Sequence, residues 1–132
     1  MIRRYTNPEM GAIWSEQRRY ETWLQVEVAA AEAMADAGIV PAEAARDLGE
    51  KGAFDIARID EIEKETRHDV IAFLTNVAEH VGPAARFLHM GLTSSDVLDT
   101  CLSVQLARAS DILLDDLDRL LVALRRRAEE QK

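Results

Sequence analysis

The sequence predicts an all-α protein. Apolar residues recur at intervals of three and four through most of the chain, which places them on one face of a helix. No stretch sustains apolar–polar alternation with β-branched enrichment. Most of the six glycines and three prolines fall between the periodic segments.

The first segment runs from about Pro8 to Gly38. Tyr20, Trp23, Leu24, Val28, Ala31, Met34 and Ala35 form its apolar stripe, and alanine, the best helix former, dominates residues 29–37. Gly38 suits a helix stop and Pro41 the first turn of a short second helix, which Gly49 and Gly52 end. Asp55 is the expected N-cap of a third helix with Ile56, Ile59 and Ile62 on its inner face. Thr66-Arg67-His68 interrupts the pattern. Asp69 then caps a fourth helix with Val70, Phe73, Leu74, Val77 and Val81 inside, which Gly82-Pro83 stops. A short helical turn, Ala84 to His89, leads to Gly91. Thr93-Ser94-Ser95-Asp96 opens the last element, after which no Gly or Pro occurs. Leu102, Leu106, Ala109, Leu113, Leu117, Leu120 and Leu124 step by threes and fours, with Leu98, Ile112, Leu114 and Leu121 widening the stripe. One helix of about 36 residues and roughly 54 Å results. The short elements before it are too small to cover such a rod. It is therefore expected to pack against a continuation of the chain or other subunits, and the sequence reads as the N-terminal part of something larger.

Composition narrows the function. The 132 residues are 48% hydrophobic and 30% charged, which is globular composition. A net charge of -8 argues against nonspecific nucleic-acid binding, which draws its affinity from phosphate neutralisation. A single cysteine, Cys101, allows neither an internal disulfide nor a multi-thiolate metal site, and its place on the long helix reads as core packing. No His or Cys pair has zinc-ligand spacing, and no Gly-rich phosphate loop is present. No apolar run approaches 20 residues, so a cytoplasmic protein is expected.

Three segments carry potential chemistry. Arg67-His68-Asp69 puts a cation, a titratable base and a carboxylate at a helix N-terminus, where an anion or a proton-transfer step is favoured. Alone, it equally fits a polar helix junction with an exposed ion pair. His89 to Asp96 combines a glycine with three hydroxyls before another helix N-terminus, a carboxylate or phosphate cradle or an ordinary capped helix start. Arg3-Arg4-Tyr5 suits a phosphate or is a solvated basic end. His80, beside Glu79 at a helix C-terminus, reads as a surface residue, and the Met and Trp residues read as core.

Taken together the segments resemble the adenylosuccinate lyase family of the aspartase/fumarase superfamily. The resemblance rests on Arg4-Tyr5, on Thr66-Arg67-His68-Asp69-Val70, and on His89, Gly91, Leu92, Thr93, Ser94, Asp96, Asp99 and Thr100. Pro8-Glu9-Met10 with Ile13-Trp14, and Phe54-Asp55-Ile56 with Arg58-Ile59, extend it along the chain. It implies a carbon–nitrogen lyase that eliminates fumarate from adenylosuccinate, giving AMP, and from the succinylated imidazole-carboxamide ribonucleotide SAICAR, giving AICAR, in purine biosynthesis. The implied chemistry is general acid–base β-elimination with no metal and no organic cofactor. The implied fold is a small helical domain, here residues 1–92, followed by the first helix of a long-helix bundle, residues 93–132. The implied assembly is a homotetramer whose active sites draw on three subunits. By the family's motifs, His68 is catalytic, Arg4 and Tyr5 meet the nucleotide's phosphate end, and Arg67, His68 and Asp69 line the site. Thr93 and Ser94 bind a succinyl carboxylate, and His89 lies near the phosphate. The family's second histidine and its serine-bearing loop fall beyond Lys132, so these residues alone are expected not to turn over substrate. The competing readings are another lyase of the superfamily and a non-catalytic helical oligomerisation module.

Overall fold

The computed structural model describes residues 2–132, without the side chain of Arg3. Helices are its only regular elements among the described residues. After a 3₁₀ turn at Arg3–Tyr5 come α1 (Pro8–Ile13), α2 (Glu16–Asp36), α3 (Ala42–Lys51), α4 (Ile56–Thr66) and α5 (Asp69–Val81). A second 3₁₀ stretch, Gly82–Phe87, precedes α6 (Ser94–Glu130).

Most boundaries follow from local chemistry. Asn7 caps α1 by accepting from the Glu9 and Met10 amides. The expected single helix from Pro8 to Gly38 is two. Ser15 breaks it, its hydroxyl accepting from the Arg18 amide as the cap of α2 while donating to the Ala12 carbonyl at 2.8 Å. Trp14 sits at that break and is 41% exposed, and Met90 is exposed too, so neither belongs to the core. Gly49 continues α3 instead of ending it, and Gly52 is the C-cap. Asp55 caps α4 as expected, accepting from the Arg58 amide at 3.0 Å.

The core gathers around an aromatic group. Tyr20 stacks on Phe73 at 5.6 Å between centroids, and Trp23 meets both rings edge-on. Leu48, Ile59, Val70, Ala72, Val77 and Val97 are buried with it. The α4–α5 pair is pinned outside by Arg58, whose guanidinium grips the Glu79 carboxylate at 2.8 Å. Asn76 donates to Glu79 and accepts from the Asp55 amide, joining the two helices across the cap of α4.

Helix α6 is 37 residues long. Its buried residues are Val97, Cys101, Gln105 and Ala109, one per turn along a single line facing α1 and α2. Gln105 donates to the Ile13 carbonyl at 2.8 Å, tying the end of α1 to the rod. The leucine stripe lies on a different face: Leu102 and Leu106 are already exposed beside the core. Beyond Ile112 every residue is exposed, and Leu113, Leu117, Leu120 and Leu124 each keep more than half of their surface open.

Candidate active site

The candidate site forms where the α4–α5 junction meets the start of α6. Arg67 ends α4 in the left-handed region, φ 53°, a conformation that costs a non-glycine residue roughly 1 kcal/mol or more. This sharp turn sets His68 in extended backbone, so that His68, not Asp69, is the N-cap of α5. The displacement has a simple cause: the imidazole Nδ1 accepts from the Ile71 amide at 3.4 Å, the role expected of the carboxylate. Asp69 becomes the first helical residue and accepts from the Val70 amide at 2.7 Å. Its Oδ1 also lies 3.5 Å from the His68 Nδ1.

The other ring nitrogen of His68 reaches across the sequence. Nε2 lies 3.5 Å from the Ser94 hydroxyl, 26 residues further on. Ser94 opens α6, behind a reciprocal cap in which Thr93 accepts from the Asp96 amide and Asp96 accepts from the Thr93 amide at 2.7 Å. These bonds, with the Thr93 hydroxyl, hold the Asp96 carboxyl below the usual carboxylate range, and the nearby His89 adds to the effect. His68, Asp69, Thr93 and Ser94 thus converge, with His89 within electrostatic reach of the same helix start. The polar side chains are half-open to solvent: His68 keeps 46% and Asp69 42% of its side-chain surface exposed.

The remaining expected residues stand apart. Arg67 folds back, its Nε donating to the Lys64 carbonyl at 3.0 Å, and makes no ion pair among the described residues. Arg4 lies over the Tyr5 ring at 4.8 Å, and that ring is 74% exposed. Neither hydrogen-bonds the His68–Ser94 group among the described residues, and the side chain of Arg3 lies outside them. His80 is exposed, and Cys101 is buried with its thiol pushed up by burial, both as expected.

One residue was missed. Glu27, in the middle of α2, is only 2% exposed. Its Oε1 lies 2.7 Å from the His89 Nδ1, and its Oε2 accepts from the His89 amide at 2.7 Å. The signal was present in the sequence. The buried line of α2 runs Tyr20, Trp23, Glu27, Ala31, whereas the stripe drawn through Val28 leaves the acid on the flank.

With this geometry in view, the comparisons are specific. A family profile described as a lyase matches residues 3–132, and the chain belongs to that lyase family. It is 52% identical over all 132 residues to an adenylosuccinate lyase of Synechocystis sp. and 49% identical to one of Bacillus subtilis, spanning 31% of the length of each. Among solved structures, a fumarate lyase from Mesorhizobium sp. BNC1 superposes on 76% of this chain with a TM-score of 0.70 at 26% identity, the match covering 25% of that chain. The all-α fold and the likeness to adenylosuccinate lyases agree with the expectation from the motifs.

Proposed function

We propose that these residues form the N-terminal part of an adenylosuccinate lyase, which eliminates fumarate from adenylosuccinate and from SAICAR. The observation that carries the reading is the meeting of His68 with Ser94 at the capped start of α6. The substrate is a polyanion. A helix N-terminus offers backbone N–H groups and partial positive charge, and the Thr93 and Ser94 hydroxyls add donors suited to a succinyl carboxylate. In β-elimination a base takes the proton from the carbon beside a carboxylate, electron density moves onto that carboxylate, and an acid protonates the departing nitrogen. Donors held at the carboxylate stabilise the charge that develops there. With Nδ1 accepting from the Ile71 amide, the neutral ring of His68 carries its proton on Nε2 and faces the substrate as a donor. Asp69, 3.5 Å from Nδ1, stabilises the ring when it is charged. Arg67, Arg4 and Tyr5 are exposed and reach the nucleotide's phosphate end by turning toward it on binding.

In this reading residues 1–92 are the first domain and residues 93–132 begin the long-helix bundle. The exposed leucines of α6 pack in a cytoplasmic homotetramer, and the site is completed by residues beyond this chain. A fumarate-release assay with adenylosuccinate tests the proposal. A full-length lyase carrying this sequence turns over, and its His68→Ala form loses roughly 10²–10⁴-fold in kcat, the usual contribution of a proton-transfer group. The 132-residue chain alone gives no turnover. Unchanged kcat in an assembled His68→Ala enzyme overturns the assignment and favours an oligomerisation role for this region.

A further inference from the structure

Glu27 is a carboxylate in the core whose hydrogen bonds among the described residues all go to His89. Its side chain is 1% exposed, and both oxygens bind His89, at 2.7 Å to the amide and 2.7 Å to Nδ1. His89 takes this pose with φ at 59°, in the left-handed region that disfavours side chains. The contact spans 62 residues and ties the middle of α2 to the loop that delivers Thr93 and Ser94. Burying a carboxylate carries a large desolvation cost unless charge or strong donors offset it. Holding a loop amide alone needs only a neutral acceptor. A carboxylate on Nδ1 does something further: it keeps the Nδ1 proton in place and leaves Nε2 as the ring atom free to meet a ligand. The His89 side chain is 18% exposed, and its Nε2 has no partner among the described residues.

We propose that Glu27 is a positioning residue of the candidate site, acting through His89. It locks the loop conformation and keeps a proton on Nδ1, so that Nε2, beside the first turn of α6, donates to the anionic end of the nucleotide when the ring is charged. The inference rests on the nucleotide-lyase reading only for the identity of that ligand.

Long-range ¹H–¹⁵N spectra of the histidine rings test it on the 132-residue chain. At about pH 8, where an ordinary histidine is neutral, wild-type His89 is the Nδ1–H tautomer. Glu27→Gln moves it toward the Nε2–H form while the His80 ring and the amide dispersion stay unchanged. An Nε2–H tautomer in the wild type overturns the proposal without any variant, as does an unshifted tautomer in a folded Glu27→Gln chain. An AMP titration of the assembled full-length lyase separates the two readings. Shifts at the His89 Nε2 that are lost in Glu27→Gln support both. An Nδ1–H tautomer with no AMP response at His89 or His68 leaves the positioning role standing and removes the nucleotide as its ligand.

Discussion

Thr93 joins the fold to the candidate site, because the residue that caps α6 also places its hydroxyl beside Ser94. Thr93→Ala removes one half of the reciprocal cap and is expected to cost about 1 kcal/mol, read as a lower urea midpoint by the fluorescence of buried Trp23. Two carboxylates give this stability a pH dependence. Asp96 is held below its ordinary 3.8 by the Thr93 bonds, and Glu79 below its ordinary 4.5 by Arg58 and then Asn76. In both, the unfolded chain takes up protons before the folded one does. Their contribution is complete above the ordinary values and is lost as the pH falls through and below them. The urea midpoint therefore drops from about pH 6 to about pH 3.5, and Glu79→Gln makes the drop shallower. A variant with an equally steep profile would show that Glu79 carries none of it. Both groups are exposed, so solvent screens each contribution.

Among the elements, the α4–α5 pair and α6 make opposite demands. Phe73 is fully buried at the centre of the aromatic group on α5. Phe73→Ala leaves a cavity there and is expected to cost about 3–5 kcal/mol, much of the stability of a domain this small. Among the described residues, helix α6 holds to the core chiefly through the line from Val97 to Ala109, with Leu98 packed beside it. Beyond Ile112 every residue of α6 is exposed, so little packing among the described residues protects its outer half, and most helical stability in proteins comes from such packing. Amide exchange in the 132-residue chain is expected to be slow from about residue 97 to 109 and fast beyond Ile112. The same outer half exposes contiguous leucine, which favours self-association. Sedimentation should show a mass that rises with concentration. Leu117→Glu combined with Leu121→Glu lowers that mass while leaving the Trp23 unfolding midpoint in place. A concentration-independent monomer by sedimentation would refute the expectation.

For the whole molecule, the helices and their caps were legible because helix formation is decided within a few residues. Asp55 capping α4, the Gly82-Pro83 stop of α5 and the 37-residue α6 all depend on groups three or four positions apart. The break at Ser15 was hidden because Ser15 sits inside a strong helical pattern, and its extended backbone with the hydroxyl bonds to Ala12 and Arg18 reveals it as a cap. Arg4-Tyr5 with the motif segments 66–70 and 89–100 marked a family and a set of candidate residues. Folding decided the relations among them. That His68 takes the cap from Asp69 depends on the left-handed turn at Arg67. That it meets Ser94 depends on how the α4–α5 junction docks against the start of α6. Glu27 met His89 only when α2 packed beneath that loop. The leucines of α6 were visible as a stripe, but periodicity could not say that the core would take the line of Val97, Cys101, Gln105 and Ala109, sharing only Ala109 with that stripe, and leave Leu102, Leu106 and the leucines beyond them exposed. Short-range hydrogen bonding and apolar periodicity are written along the chain, whereas a contact across 26 or 62 residues exists only after the core has set the distance between its ends.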